Sequence, residues 1–127
     1  MILHCRDAYQ DLLNVLRKEG FKNSGVIHCF MGSQEEAQTF LDLGFLISFT
    51  GNITFSDQLE EIVKYVPLKK ILIETDAPYL APTPHRGERN EPAYIIEVAR
   101  KIAEIKKVPL VEVEKQTDRN AETLFKI

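Results

Sequence analysis

Gly25-Val26-Ile27-His28-Cys29-Phe30, then Ser33-Gln34-Glu35-Glu36, then Ala37 to Gly44, then Phe45 to Phe49: this run decides the fold. Residues 25–30 are β-branched, aliphatic and aromatic, which suits a strand. Ser33 and Glu36 have capping-box spacing, so the hydroxyl and the carboxylate each satisfy a free N–H at a helix start. Ala37, Phe40, Leu41 and Leu43 follow at helical positions, and Gly44 supplies the stop. Residues 45–49 then read as strand again. Strand, helix and strand at this spacing predict parallel strands joined by a right-handed crossover.

The same unit extends in both directions. Residues 1–5 form a strand and Ala8 to Glu19 a helix, with Leu12, Leu13, Val15 and Leu16 on its apolar side and Gly20 as terminator. Beyond Thr50-Gly51-Asn52, Ser56 or Asp57 caps a helix that runs to Val66 before Pro67. Residues 71–75 form the fourth strand. Four βα units in a row give an α/β fold of parallel βα repeats, expected as a single domain over residues 1–127. Residues 76–92 break the pattern with Pro78, Pro82, Pro84 and Pro92. A stretch this long without regular structure is usually functional or disordered. Helix resumes from Pro92 to Lys106 and again near Leu110, with Asn120 to Phe125 close to the end.

Composition bounds the function. A chain of 127 residues, 44% hydrophobic and 28% charged, can close an ordinary globular core. The net charge of −3 excludes a global basic field for nucleic acid. A nucleic-acid substrate stays open, because a metal supplies positive charge locally. Two cysteines are too few for a disulfide framework, which points to a reducing, cytoplasmic setting. No apolar run approaches the ~20 residues of a membrane span. Met1 leads directly into a strand and then Arg6-Asp7, so no signal peptide is expected.

Chemistry concentrates at three strand ends: His4, His28 and Asp76. Parallel α/β proteins place active-site groups there. Side chains alternate along a strand, so Val26, His28 and Phe30 share a face, as do Ile2, His4 and Arg6, and Leu72, Glu74 and Asp76. Two neutral imidazoles and a carboxylate suit a divalent ion, which lowers the pKa of bound water to about 7. Glu74 and Arg6 are expected behind these ligands, pairing across the interior. The other reading makes each histidine a hydrogen-bonded structural residue. Cys5 and Cys29 read as small buried hydrophobes facing the helices. His85, Arg86 and Arg89 are either ordinary loop charges or, above a metal site, holders of phosphate oxygens.

Several stretches together resemble the TatD family of metal-dependent DNases. They are Ile2-Leu3-His4-Cys5-Arg6-Asp7-Ala8, Gly25 to Phe30, Ser48 to Phe55, and Glu74-Thr75-Asp76-Ala77-Pro78-Tyr79-Leu80-Ala81-Pro82. His85-Arg86-Gly87, Asn90-Glu91-Pro92 and the closing Asn120 to Phe125 complete the set. The resemblance implies a TIM-type (β/α)₈ barrel of the amidohydrolase group. It implies hydrolysis of DNA phosphodiester bonds with one or two divalent ions (Mg, Mn or Zn). His4 and His28 match two metal ligands. Asp76 matches a carboxylate that binds metal and accepts a proton from the attacking water. Glu74 belongs to the same motif, and His85, Arg86 and Arg6 fall to substrate contact or support of the ligands.

Members of that family are about twice as long. Their opening His-x-His and a bridging Glu have no counterpart here, so the chain resembles the C-terminal half of the barrel. A half barrel has two open strand edges and an uncovered inner face bearing Val26, Phe30, Leu46 or Ile47, and Leu72. A homodimer or the missing N-terminal half would close it. The leading expectation is a metal-dependent deoxyribonuclease acting on DNA, without a membrane. The alternatives are an amide or ester hydrolase, and a non-catalytic half barrel that needs a partner chain.

Overall fold

The computed structural model describes residues 1–21 and 24–127. Strands β1 (Ile2–His4), β2 (Val26–His28), β3 (Leu46–Phe49) and β4 (Ile71–Ile73) form one parallel sheet in chain order. Ile2 lies beside Val26, Val26 beside Leu46, and Ile47 beside Ile71. Helices α1 (Tyr9–Lys18), α2 (Gln34–Asp42) and α3 (Asp57–Tyr65) connect the strands. After β4 come a 3₁₀ turn, Pro92–Tyr94, then α4 (Ile95–Lys106) and α5 (Leu110–Phe125). The expected α/β fold of parallel βα repeats is present. Among the described residues no helix is long and apolar enough to cross a membrane.

Local chemistry sets the helix ends. Ser33 Oγ accepts from the Glu36 N–H at 3.2 Å, and Glu36 Oε2 accepts from the Ser33 N–H at 2.7 Å, completing the capping box. Ser56, of the two candidate caps, receives the Leu59 N–H at 3.4 Å. At the other end of α3, Lys106 Nζ donates to the carbonyls of Lys64 and Val66 at 2.8 and 2.6 Å. Burial pulls the Lys106 pKa below its ordinary value.

The helix side of the sheet is a closed core. Ile27, Ile47, Phe49 and Ile71 pack against Leu13, Phe40, Val63, Ile102 and Val113. The Phe40 ring meets Tyr9, Phe30 and Phe45 edge-on, at centroid distances of 6.0, 6.3 and 6.1 Å.

The strands are shorter than the apolar runs, and this corrects one expectation. Cys29 takes a left-handed φ of 46°, so β2 ends at His28 and alternation ends with it. Phe30 therefore lies in the helix-side core, its ring 5.0 Å from that of Tyr9, and not on the inner face. Of Leu46 and Ile47, Leu46 faces inward and Ile47 joins the main core. The inner face is also less bare than expected. Val26, Leu46 and Leu72 are buried, with Ala121 and Leu124 of α5 packed on them. Asn120 Nδ2 fastens that helix by donating to the carbonyls of Leu68 and Ile71 at 2.9 and 2.7 Å. Ile2 on β1 stays 61% exposed. Among the described residues, β1 and β4 each have one edge without a neighbouring strand.

Residues 74–91 contain no helix or strand. They are held nonetheless by the buried Asn90. Its Nδ2 donates to the carbonyls of Thr75 and Tyr79 at 2.7 and 2.5 Å, and its backbone N–H to Pro78 at 3.1 Å.

Candidate metal centre

The end of β2 builds the site. The left-handed turn at Cys29 aims its N–H at Glu74 Oε1, 2.5 Å away. The other oxygen of Glu74, Oε2, accepts from His28 Nδ1 at 2.8 Å. A carboxylate only accepts, so Nδ1 is the donor in this contact, which in the neutral ring leaves the lone pair on Nε2. Glu74 is itself placed by β3, its N–H donating to Phe49 at 3.0 Å.

His28 Nε2 faces Asp76 Oδ1 at 3.5 Å. Asp76 reaches it from a left-handed backbone, φ 58°. His4 stands opposite His28 in register, with ring centroids 5.4 Å apart and tilted by 42°. The three expected ligands are thus neighbours, but among the described residues no three His, Cys, Asp or Glu side chains converge closely enough to hold a metal ion. The tight element is the pair His28–Asp76, with His4 exposed beside it. The donor chemistry of that pair fits a cation. In the neutral ring both facing atoms, Nε2 and Oδ1, can ligate, and two ligands of one tetrahedral ion with bonds of about 2.0–2.1 Å stand roughly 3.3 Å apart.

Arg6 does not pair with Glu74. Both Glu74 oxygens are taken by His28 and Cys29, and Arg6 is exposed. That corrects the expected pairing across the interior; the histidine nitrogen and the strand-end N–H are the nearer donors. Cys5 and Cys29 are buried as expected. Burial pushes both thiols up, and the Cys29 Sγ lies 3.7 Å from Thr50 Oγ1.

The long segment brings its own groups. Arg86 lays its guanidinium over the Phe55 ring, 3.7 Å from the centroid, and Nη1 donates to the Ala81 carbonyl at 3.3 Å. His85 stacks on Tyr94 at 3.7 Å and 3°, with Nδ1 3.3 Å from Glu88 Oε2. Sequence reasoning gave no role to Phe55 or Asn90. Asn90 had one usable signal: an amide that donates twice, placed in a proline-rich segment short of backbone donors. A cleft of about 510 Å³ lies between the starts of α1 and α2, but Asp7, Asp11 and Glu36 line it, which disfavours a phosphate there.

Four parallel βα units with imidazole and carboxylate groups at the strand ends make this an α/β protein with its polar groups where such folds place their sites. The description TatD related DNase matches residues 1–126, and the chain belongs to the TatD family. It is 47% identical over 130 residues to the Escherichia coli K12 protein named uncharacterized metal-dependent hydrolase YcfH, covering 100% of this chain and 49% of that one. It is 39% identical over 135 residues to the 3′-5′ ssDNA/RNA exonuclease TatD of Klebsiella pneumoniae, covering 100% of this chain and 51% of the relative. The crystal structure of YJJV, a TatD homologue from Escherichia coli, superposes with a TM-score of 0.92 at 30% identity, covering 99% of this chain and 49% of that one. The chain spans about half the length of the curated relatives it matches.

Proposed function

We propose that the chain carries half of a metal-dependent phosphodiesterase site, and that its substrate is DNA. One observation carries this reading. His28, its proton committed to Glu74, turns a bare Nε2 toward Asp76 Oδ1 at 3.5 Å, with His4 alongside. His4, His28 and Asp76 would hold the ion, which we take to be Mg, Mn or Zn. The chemistry such an ion supplies when bound is acidification of water to a pKa of about 7 and polarisation of a phosphoryl oxygen.

This chain's own residues do the rest. Glu74 fixes the tautomer and angle of His28, so the ligand nitrogen is aimed before any ion arrives. Asp76 offers a carboxylate oxygen that accepts the proton of an attacking water. Arg86, held over Phe55, keeps N–H groups beyond the one on Ala81 for two phosphoryl oxygens, a fork that lysine cannot copy. His85, engaged by Tyr94 and Glu88, steadies the same loop. The relative named 3′-5′ ssDNA/RNA exonuclease supports this reading over amide hydrolysis.

A second reading concerns assembly, and the exposed Ile2 with the two open strand edges favours it. The site works when four further strands close the sheet, from an N-terminal half or a second copy of this chain. The test is hydrolysis of DNA by the purified chain with Mg²⁺, Mn²⁺ or Zn²⁺, beside His28→Ala and an EDTA blank. Metal-dependent cleavage lost in the variant supports the proposal for the chain itself. Equal cleavage by the variant removes it. No cleavage until the N-terminal half is added assigns the activity to the closed barrel.

A further inference from the structure

Two buried asparagines bracket β4. Asn120 clamps its start, donating through Nδ2 to the carbonyls of Leu68 and Ile71 at 2.9 and 2.7 Å. Asn90 clamps its exit, donating through Nδ2 to the carbonyls of Thr75 and Tyr79 at 2.7 and 2.5 Å. The chemistry is the same, one amide nitrogen serving two backbone carbonyls. The targets differ. Asn120 ties a helix to a strand. Asn90 ties the turn that carries Asp76, and its own N–H takes a third carbonyl there, that of Pro78, at 3.1 Å. The acceptor ends differ as well. Asn120 Oδ1 receives Gln116 Nε2 at 2.8 Å, whereas the buried Asn90 Oδ1 has no partner among the described residues. What Asn90 contributes is therefore its donors.

Those donors act on Asp76 from both sides. Peptide units are planar, so the backbone of a residue turns only on φ and ψ, and fixing the peptide on each side fixes both angles. The peptide before Asp76 is held through the Thr75 carbonyl, which accepts from Asn90 Nδ2. The peptide after it is held through the Asp76 carbonyl, which accepts the Tyr79 N–H at 2.9 Å. Tyr79 is in turn held by Asn90 through its own carbonyl. Asp76 has a φ of 58°, a left-handed conformation that a residue with a side chain keeps only where its surroundings impose it. Relaxation to an extended backbone would swing the Cα–Cβ bond and take Oδ1 from its place 3.5 Å from His28 Nε2.

We infer that Asn90 is a positioning residue for the metal centre, its N–H donors imposing the left-handed turn that aims Asp76 at His28. This rests on the metal-dependent reading above. Asn120 supplies the control, because Asn90→Ala and Asn120→Ala each delete one asparagine's pair of bonds to backbone carbonyls, at opposite ends of β4. Calorimetric titration with Mn²⁺ reads the site, urea unfolding reads the fold, and hydrogen exchange at the Tyr79 amide reads the turn without metal. Both variants are expected to lose similar stability. Asn90→Ala alone is expected to bind Mn²⁺ about 10- to 100-fold more weakly and to exchange the Tyr79 N–H at least about 10-fold faster. Should Asn90→Ala not fold, Asn90→Ser, with one side-chain donor in place of two, carries the same readings. A loss of Mn²⁺ affinity no larger than that of Asn120→Ala, or Tyr79 exchange equal to wild type, overturns the positioning role and leaves the metal reading standing. A wild-type chain that does not bind Mn²⁺ overturns the metal reading, and Tyr79 exchange by itself then upholds or overturns the hold of Asn90 on Asp76.

Discussion

The two sides of the sheet are built differently. The helix side is continuous, with Ile27, Ile47, Phe49 and Ile71 meeting side chains from all five helices. The inner side has one small apolar patch, Val26, Leu46 and Leu72 under Ala121 and Leu124, and above it His4, His28, Glu74 and Asp76. Stability and chemistry are thus on opposite faces of the same strands. Burial follows apolar area, so the helix side dominates folding. The inner side holds His28, Glu74 and Asp76 partly exposed at its upper end.

Phe40→Ala should expose this difference most strongly. It empties the meeting point of Tyr9, Phe30 and Phe45, and urea unfolding should show a loss of about 3–5 kcal/mol. An effect below that would mean that the helix side is not the closed core. Glu74→Gln comes next and acts on the other face. The amide presents N–H to His28 Nδ1 and favours the wrong tautomer, so affinity for Mn²⁺ or Zn²⁺, read by calorimetry, should weaken about 10- to 100-fold with little change in unfolding. Metal affinity equal to wild type would make Glu74 merely structural. Leu46→Ala removes part of the inner patch. Its cost should sit at the low end for such changes, about 2 kcal/mol, because the small cluster has room to collapse. A loss equal to that of Phe40→Ala would erase the contrast between the sides.

The smallest effect belongs to the helix surface. Hydrogen bonds from Lys101 and then Lys64 hold the Glu60 carboxyl below its ordinary pKa. A lowered folded-state pKa contributes stability above the ordinary glutamate value of about 4.3, lost as pH falls through the folded value. The difference in stability between wild type and Lys101→Met should therefore be present at neutral pH and vanish in acid. A difference that persists in acid would assign the effect of Lys101 to packing.

Much of this was legible in the chain. The capping box at Ser33, the Gly stops and the four apolar runs give the four strands and the helices α1 and α2, because those signals act within a few residues. The strand-end positions of His4 and His28 followed from the same pattern, whereas Asp76 lies three residues beyond β4. What the pattern missed depends on single backbone angles. Cys29 at φ 46° ends β2 early, sends Phe30 to the other face and frees an N–H for Glu74. Period-two alternation assumes an extended backbone, and nothing in Val26-Ile27-His28-Cys29-Phe30 announces the reversal. The Glu74–His28 contact joins residues 46 positions apart in sequence, and Arg6 was the expected partner of Glu74. Cover from α5 was also invisible locally, since Asn120 finds Leu68 and Ile71 only in the folded chain.

The end of α5 gives the inner space a floor. Leu124 and Ala121 are seated on Val26, Leu46 and Leu72, the first inward residues of their strands, and Asn120 bolts the helix to the carbonyls of Leu68 and Ile71. The starting end of these strands is therefore given over to packing, while His28 and Asp76 stand at the opposite end. The last helix thus acts as a plug, a seal that the strands cannot make for themselves.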